Sequence, residues 1–251
     1  MLASRPPPVH AHNLPRQFSA RLGYHAGAMT SGPKTSRPKH AEPRPAPRLY
    51  LVTPPVADAQ AFSTPLAAAL AAGDVAAVLL RLAEGDERTQ INRAKTLVPV
   101  VQEKNAALLI GGHAELVARA GADGAHLVGL AEFTAALAQL KPERIAGVGG
   151  LVTRHDAMVA AEAGADYMMF GEPAGGDRPS FQAVEERVAW WAEVFEAPCV
   201  AYAGSIEEVT PLVQAGADFI ALGDWLWCDP QEIAATVARA AESLRLPESA
   251  A

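Results

Sequence analysis

Three short repeats, Ala120-Gly-Ala-Asp-Gly124, Ala163-Gly-Ala-Asp-Tyr167 and Ala215-Gly-Ala-Asp-Phe219, decide the fold of this chain. Each repeat follows a stretch rich in Ala, Leu and Glu and precedes a short apolar run. Glycine readily adopts the left-handed conformation that ends a helix, so each repeat predicts a helix-to-strand junction. Ala72-Gly-Asp-Val75 is a looser fourth copy. Recurrent junctions of this kind indicate a chain built from βα units.

Outward from these junctions, short apolar runs alternate with helical stretches. The runs lie at 48–53, 76–81, 106–110, 124–128, 144–148, 167–170, 198–202 and 219–222. The predicted helices lie near 62–72, 87–104, 113–120, 131–139, 154–163, 180–196, 205–215 and 230–245, with starts at Ser63-Thr-Pro65 and Asp229-Pro230. Continuous hydrophobicity is typical of strands buried on both faces of a parallel sheet. Eight units predict an α/β single domain over 48–247, a (β/α)₈ TIM barrel, with a doubly wound open sheet as the alternative.

The charge of the chain is divided between a basic leader and an acidic body. Of 251 residues, the part after position 48 holds 13 of the 21 basic and 27 of the 28 acidic residues, a net charge of −14. Residues 1–47 are rich in proline and basic residues, and we expect them to form a disordered tail. An electrostatic arm, an organelle transit peptide and translation from Met29 are the alternatives. An acidic body disfavours nucleic acid as a partner.

The remaining composition favours a cytoplasmic protein. The two cysteines, Cys199 and Cys228, cannot form a disulfide framework, and no apolar run reaches the ~18 residues of a membrane span. We therefore expect no membrane partner. A homo-oligomer is possible, because Trp190 and Trp191 beside Phe195 suit either a core face or an interface.

In a barrel of this kind, the carboxyl ends of the strands carry the functional site. Glycines recur at these ends, and Gly171, Gly204 with Ser205, and Gly223 are the candidates for binding phosphate through backbone N–H groups. The alternative is that these glycines only make tight turns. Arg81 ends the second strand, where a guanidinium suits phosphate or carboxylate. A small phosphorylated metabolite is the predicted partner; a structural ion pair of Arg81 with Glu84 or Glu172 is the alternative.

Candidates for acid–base chemistry are few. Glu172 and Asp224 are the carboxylates that follow strands, and His126 lies inside a strand. Glu172 and His126 are weak catalytic candidates, since buried carboxylates and imidazoles can transfer protons. His126 as a core residue and Asp224 as an N-cap are the alternatives. The sequence has no Asp, Glu, His or Cys cluster with metal-ligand spacing, so it predicts no metal site built by the protein.

Several of these stretches together resemble the thiamine-phosphate synthase/TenI family. The resemblance is carried by Leu49-Tyr-Leu-Val-Thr53, Val78-Leu-Leu-Arg81, Ala120-Gly-Ala-Asp-Gly-Ala-His-Leu127, Gly164-Ala-Asp-Tyr-Met-Met-Phe-Gly171 and Pro198-Cys-Val-Ala-Tyr-Ala-Gly204. It implies a TIM barrel that joins a hydroxymethylpyrimidine pyrophosphate to a thiazole phosphate with Mg²⁺. The TenI branch instead isomerises a thiazole carboxylate phosphate. The resemblance also implies that Arg178, near the family's loop lysine, is a phosphate-binding cation.

This chain departs from the family pattern at the positions that handle pyrophosphate and Mg²⁺. The family's glutamine and lysine of the second strand are Leu79 and Ala83, its two metal-ligand positions fall at Gly112 and near Ala131, and its fifth-strand serine is Gly149. The last phosphate-binding serine falls near Asp224. We therefore expect binding of a phosphorylated thiamine precursor with weak synthase activity and no firm cofactor. A catalytically silent binder or regulator and a different barrel enzyme on a small phosphorylated metabolite are the alternatives.

Overall fold

The computed structural model describes residues 45–173 and 178–245, and in them eight parallel strands pair in chain order until the eighth closes on the first. The strands are β1 (Arg48–Val52), β2 (Val75–Leu80), β3 (Ala107–Gly111), β4 (Gly124–Val128), β5 (Ile145–Gly149), β6 (Tyr167–Phe170), β7 (Cys199–Ala203) and β8 (Phe219–Leu222). The helices are α1 (Ala59–Ala72), α2 (Glu87–Gln102), α3 (Val117–Ala120), α4 (Leu130–Leu140), α5 (Arg154–Glu162), α6 (Phe181–Val194), α7 (Val209–Gln214) and α8 (Ile233–Ser243). Short 3₁₀ turns precede α3, α7 and α8.

The closed sheet confirms the predicted (β/α)₈ barrel and excludes the open doubly wound sheet. The register between β1 and β8 runs from Arg48 opposite Phe219 to Leu51 opposite Leu222, which leaves no free edge between them. Of the predicted tail, 1–47, residues 1–44 lie outside the described residues, so its disorder stays a prediction. Within the described ranges no helix is long and apolar enough to cross a membrane.

The Gly-Ala-Asp repeats join strands in pairs. Their glycines end helices with positive φ angles, as predicted: +77° at Gly121, +99° at Gly164 and +97° at Gly216. The aspartates accept backbone N–H bonds from the strand before: Asp123 from Leu108, Asp166 from Ala146 and Asp218 from Cys199, at 2.7–2.8 Å. In the looser copy, Asp74 instead receives the guanidinium of Arg48 at 2.7 Å. The repeat therefore ties β1 to β2, β3 to β4, β5 to β6 and β7 to β8.

Two helices begin at residues other than those the proline signals predict. Helix α1 begins at Ala59, because Asp58 caps it by accepting the N–H of Ala61 at 3.0 Å, and Pro65 lies inside the helix. Helix α8 begins at Ile233, and the predicted cap Asp229 instead closes a turn by accepting the N–H of Gln231. In both cases a side-chain cap or turn near the proline outweighs the preference of proline for the first helical turn.

The apolar side chains form two cores. The larger lies between the strands and the helices, and Trp191 on α6 is fully buried in it. Its neighbour Trp190 is partly buried and lies under the guanidinium of Arg154, 4.7 Å from its ring centroid. The smaller core fills the barrel interior and includes Tyr50 and Tyr167. Trp191 therefore belongs to the core face of α6, and the oligomeric state stays a prediction.

Candidate functional site

Arg81 and Asp224 meet at the carboxyl ends of β2 and β8. The Arg81 guanidinium donates to Asp224 Oδ1, and its Nε donates to the carbonyl of Thr53. The Arg81 backbone N–H also donates to the Thr53 hydroxyl at 3.0 Å. The side chains remain partly exposed, at 34% for Arg81 and 55% for Asp224. Arg81 lies, as expected from the sequence, at the carboxyl ends of the strands, which we call the mouth of the barrel. Its ion-pair partner, however, is Asp224 and not Glu84 or Glu172.

Arg178 and Glu208 form a second ion pair at the end of β7. The guanidinium forks onto the carboxylate with distances of 2.9 and 2.6 Å. Arg178 also donates to the carbonyls of Gly171 and Tyr202. Glu208 Oε2 accepts the Gly204 N–H at 2.6 Å. The Gly204 N–H was one of the groups expected to bind phosphate. It already donates a hydrogen bond to a carboxylate of the protein itself.

The glycines at the predicted phosphate site are required by close side-chain packing. A Cβ on Gly204 would overlap the Arg178 guanidinium, and one on Gly223 would overlap the Tyr202 hydroxyl. Gly171 has a φ of +93°, where side chains are strained. Ser205 follows β7 and its hydroxyl lowers the pKa of Glu207 by hydrogen bonding. These positions lie at the mouth, but packing at Gly204 and Gly223 and the positive φ at Gly171 account for the three glycines without a ligand.

A buried polar chain crosses the barrel interior. The Tyr50 hydroxyl lies 2.8 Å from the Tyr167 hydroxyl, which lies 2.9 Å from His126 Nδ1. His126 Nε2 in turn lies 3.3 Å from Glu172 Oε2. Burial raises the pKa of both tyrosines, so their hydroxyls keep their protons. The two weak catalytic candidates of the sequence, His126 and Glu172, are therefore brought together.

The Glu172 carboxylate occupies the space that a side chain at position 149 would fill. A Cβ on Gly149 would overlap the carboxylate of Glu172, far inside the 3.0 Å limit of real Cβ contacts. The family resemblance places a serine at this point of β5. In this chain Glu172, the second residue after β6, supplies a carboxylate there instead, so a carboxylate takes the place of a hydroxyl donor.

The described residues do not fit the Mg²⁺ of the family. Gly112, at one expected ligand position, has no side chain, and Glu132 on the first turn of α4 has its Oε1 3.8 Å from where a Gly112 Cβ would lie. The second ligand position is expected near Ala131, and the next residue, Glu132, supplies a carboxylate there. Within the ranges described, no three His, Cys, Asp or Glu side chains cluster as a metal site. One carboxylate of the implied pair is therefore present, one protein ligand fewer than the resemblance implies, and the other ligands would have to come from water and a substrate phosphate.

Four residues of this site were not found from the sequence. Tyr50 and Tyr167 lie inside apolar strands, where an aromatic residue is ordinary core, and their hydroxyls gave no separate signal. Glu132 lies in the first turn of α4 and Glu208 in the short 3₁₀ turn before α7, where acids are common. Only the closed barrel shows that these side chains point towards the predicted site residues.

Comparison with known proteins gives the same family as the motifs. The family model for thiamine monophosphate synthase matches residues 49–225. A thiamine-phosphate synthase of Rhodospirillum centenum is 44% identical over 196 residues, which cover 76% of this chain and 94% of that protein. A thiamine-phosphate synthase of Hyphomonas neptunium is 39% identical over 197 residues, covering 74% of this chain and 89% of that protein.

A solved structure has the same fold. The thiamine phosphate pyrophosphorylase of Pyrococcus furiosus superposes with a TM-score of 0.66 at 20% identity, covering 78% of this chain and 95% of that one. At this identity the likeness concerns the fold alone. From the family model and the two relatives, however, it follows that this chain belongs to the thiamine monophosphate synthase family.

Proposed function

We propose that this barrel binds a phosphorylated thiamine precursor at the carboxyl ends of its strands and couples a pyrimidine pyrophosphate to it only weakly. The names of the relatives support the ligand class. The observation that carries the proposal is the position of Arg81, held at the mouth by Thr53 with its guanidinium 34% exposed. Its remaining N–H donors suit the oxygens of a monophosphate.

Two features disfavour the coupling step itself. A pyrophosphate leaving group is normally stabilised by a metal ion and by cations, which supply much of the catalysis in such reactions. Here Gly112 lacks a ligand, and both arginines of the described mouth, Arg81 and Arg178, already face carboxylates. In this proposal the chain therefore binds the phosphorylated precursor but catalyses the coupling reaction only weakly.

Binding is tested by calorimetric titration of thiazole phosphate into the full chain and into Arg81→Ala. Loss of a charge-assisted hydrogen bond of about 1.5–3 kcal/mol predicts roughly tenfold to a hundredfold weaker binding in the variant. Arg88→Ala is the matched control, because Arg88 lies exposed on α2. Equal affinity in Arg81→Ala and the wild type would refute the role of Arg81, and no binding to the wild type would refute the proposal.

Catalysis is tested by measuring pyrophosphate release from the pyrimidine pyrophosphate and thiazole phosphate, with and without Mg²⁺. We expect slow release that changes little with Mg²⁺, since the described residues do not build its site. Fast, Mg²⁺-dependent release would show that the coupling activity is intact and that the reasoning from Gly112 is wrong.

A second candidate is a barrel enzyme that acts on a phosphorylated metabolite without displacing a pyrophosphate. The observation that favours it is the Glu172 carboxylate beside His126, at the point where the resemblance places a serine. An anion there repels a diphosphate but can accept a proton. Binding of thiazole phosphate with no turnover of the two coupling substrates would favour this candidate or a silent binder.

A further inference from the structure

A large groove lies at the amino ends of the strands, on the side of the barrel opposite the mouth. Its volume is about 880 Å³, and its lining includes Pro47 and Asp218, the residues just before β1 and β8. The groove therefore runs beside the seam where β8 closes on β1. None of the described residues of the candidate functional site lines it, so an inference about this face is independent of the proposed function.

Small and apolar side chains make most of the groove. Seven of its sixteen described lining residues are alanine or glycine, and four more are proline, valine or leucine. Gly73 after α1 and Ala241 on α8 lie close together, since a Cβ on Gly73 would be 3.3 Å from the Ala241 Cβ. Positions without large side chains allow a second backbone to approach closely. The groove therefore suits an extended chain.

The described lining of the groove is also acidic. It contains three carboxylates, Asp74, Asp218 and Glu242, and one guanidinium, Arg245. Glu242 is exposed on α8, and the Asp74 side chain stays 73% exposed although it is paired with Arg48. A cationic segment is therefore attracted to this groove, with the modest strength that exposed charges have in water.

The chain enters the described structure within this groove. Pro45, Ala46 and Pro47 belong to the lining and form neither helix nor strand. The residues that precede Pro45 therefore start from the groove itself. A segment tethered beside its binding site has an effective concentration in the mM range, so contacts that are weak between separate molecules are enough to hold it.

The chemistry of the preceding segment complements the groove. Residues 37–44 read Arg-Pro-Lys-His-Ala-Glu-Pro-Arg, with three cations and one carboxylate, whereas the lining has the opposite excess. Proline fixes φ, so an extended proline-containing segment loses little conformational entropy when it binds to an apolar groove. The segment offers prolines to the small apolar residues and cations to the carboxylates.

We propose that residues 37–44, which lie outside the described residues, dock in this groove of the same chain. The docked segment covers the seam between β1 and β8 and ties the region before β1 to α8. The electrostatic arm that the sequence offered as an alternative thus has its partner in the acidic body of its own chain.

The test is limited trypsin digestion of the full chain, with the cleaved bonds followed by mass spectrometry. Trypsin cuts after Lys or Arg unless Pro follows, which leaves four bonds before Pro45: Arg16–Gln17, Arg21–Leu22, Lys34–Thr35 and Lys39–His40. Each rate is divided by the rate for the same bond in a synthetic peptide of residues 14–47, which removes the sequence preference of the protease.

We expect the Lys39–His40 bond to be cut at least about tenfold more slowly, on this scale, than Arg21–Leu22. The reason is that cleavage follows the population of the undocked form when docking is fast. Equal normalised rates at the two bonds would overturn the proposal, and this comparison needs no variant.

Ala238→Trp tests whether the groove causes the protection. Ala238 is partly buried on α8 and lines the groove, so an indole there fills the space that the segment needs. We expect cleavage at Lys39–His40 to rise to the rate of the free peptide. Ala189→Trp is the matched control, because Ala189 is exposed on α6 and lies outside the groove. Continued protection in folded Ala238→Trp would overturn the proposal.

Glu242→Gln replaces that variant if Ala238→Trp does not fold. It removes one carboxylate from an exposed helical position. We expect cleavage at Lys39–His40 about twofold to fivefold faster than in the wild type, the effect of one exposed ion pair. An unchanged rate would overturn the proposal.

The same digestion identifies the other possible occupants of the groove. Protection of Lys39–His40 that weakens on dilution would assign the groove to the segment of a second copy. Slow cleavage of Arg245–Leu246, with Lys39–His40 cut at the rate of the free peptide, would assign it to residues 246–251. Either result would overturn docking of residues 37–44 within one chain.

Discussion

Gly149→Ala tests whether the Glu172 carboxylate occupies the space above β5. The backbone at Gly149 is not in the left-handed region, so alanine adds no conformational strain. The new Cβ would overlap the carboxylate, which must then leave its place beside His126. Overpacking of this kind costs typically about 1–3 kcal/mol. For a barrel of this size each kcal/mol lowers Tm by about 2–4 °C, so we expect a decrease of roughly 2–12 °C in a thermal melt.

The double variant Gly149→Ala/Glu172→Ala decides the cause of that decrease. If the carboxylate is the obstacle, alanine at position 149 costs little stability once Glu172 is shortened, and the two changes are coupled. Gly111→Ala is the matched control, because its Cβ would meet only ordinary contacts of 3.5 Å or more. An equal decrease in Tm in both backgrounds would refute the reasoning.

Three further predictions concern stability, metal binding and anion binding. Hydrogen bonds from Thr153 lower the pKa of Asp156, so its contribution to stability is present at neutral pH and is lost as pH falls through the lowered pKa. Asp156→Asn should therefore destabilise the protein more at pH 7 than at pH 3 in denaturant melts; an equal loss at both would contradict this. Gly112→Asp places a second carboxylate near Glu132, and we expect Mg²⁺ to raise Tm in this variant and not in the wild type. Glu208→Gln removes the anion bound at the end of β7, and we expect tighter binding of inorganic phosphate by calorimetry; unchanged or weaker binding would show that the carboxylate does not compete.

The fold could be predicted from the sequence because its signals are local. Each Gly-Ala-Asp repeat holds within five residues the glycine that ends a helix and the aspartate that binds the preceding strand. The helix starts near Pro65 and Pro230 were less predictable. Helix α1 begins after the Asp58 cap, seven residues before Pro65, and α8 begins three residues after Pro230 because Asp229 closes a turn instead of capping the helix. Local chemistry thus gives the architecture and leaves the boundaries uncertain by a few residues.

The site was less predictable because its contacts are long-range. Arg81 could be placed at a strand end, but its partner Asp224 lies 143 residues further on. The Tyr50 and Tyr167 hydroxyls meet across 117 residues. Only closure of the barrel brings such groups together, and the sequence offers several carboxylates of equal standing for each arginine. The choice among them is made by packing inside the closed sheet.

The charged side chains at the mouth determine how much phosphate charge this acidic chain can bind. The described mouth includes two guanidiniums, Arg81 and Arg178, and four carboxylates, Glu132, Glu172, Glu208 and Asp224. A monophosphate can replace one carboxylate on an arginine with little change in net charge. A diphosphate brings more charge than the two arginines can neutralise while the carboxylates remain, and desolvated charges of like sign repel strongly. By charge, the mouth is therefore better suited to a ligand with one phosphate than to a pyrophosphate.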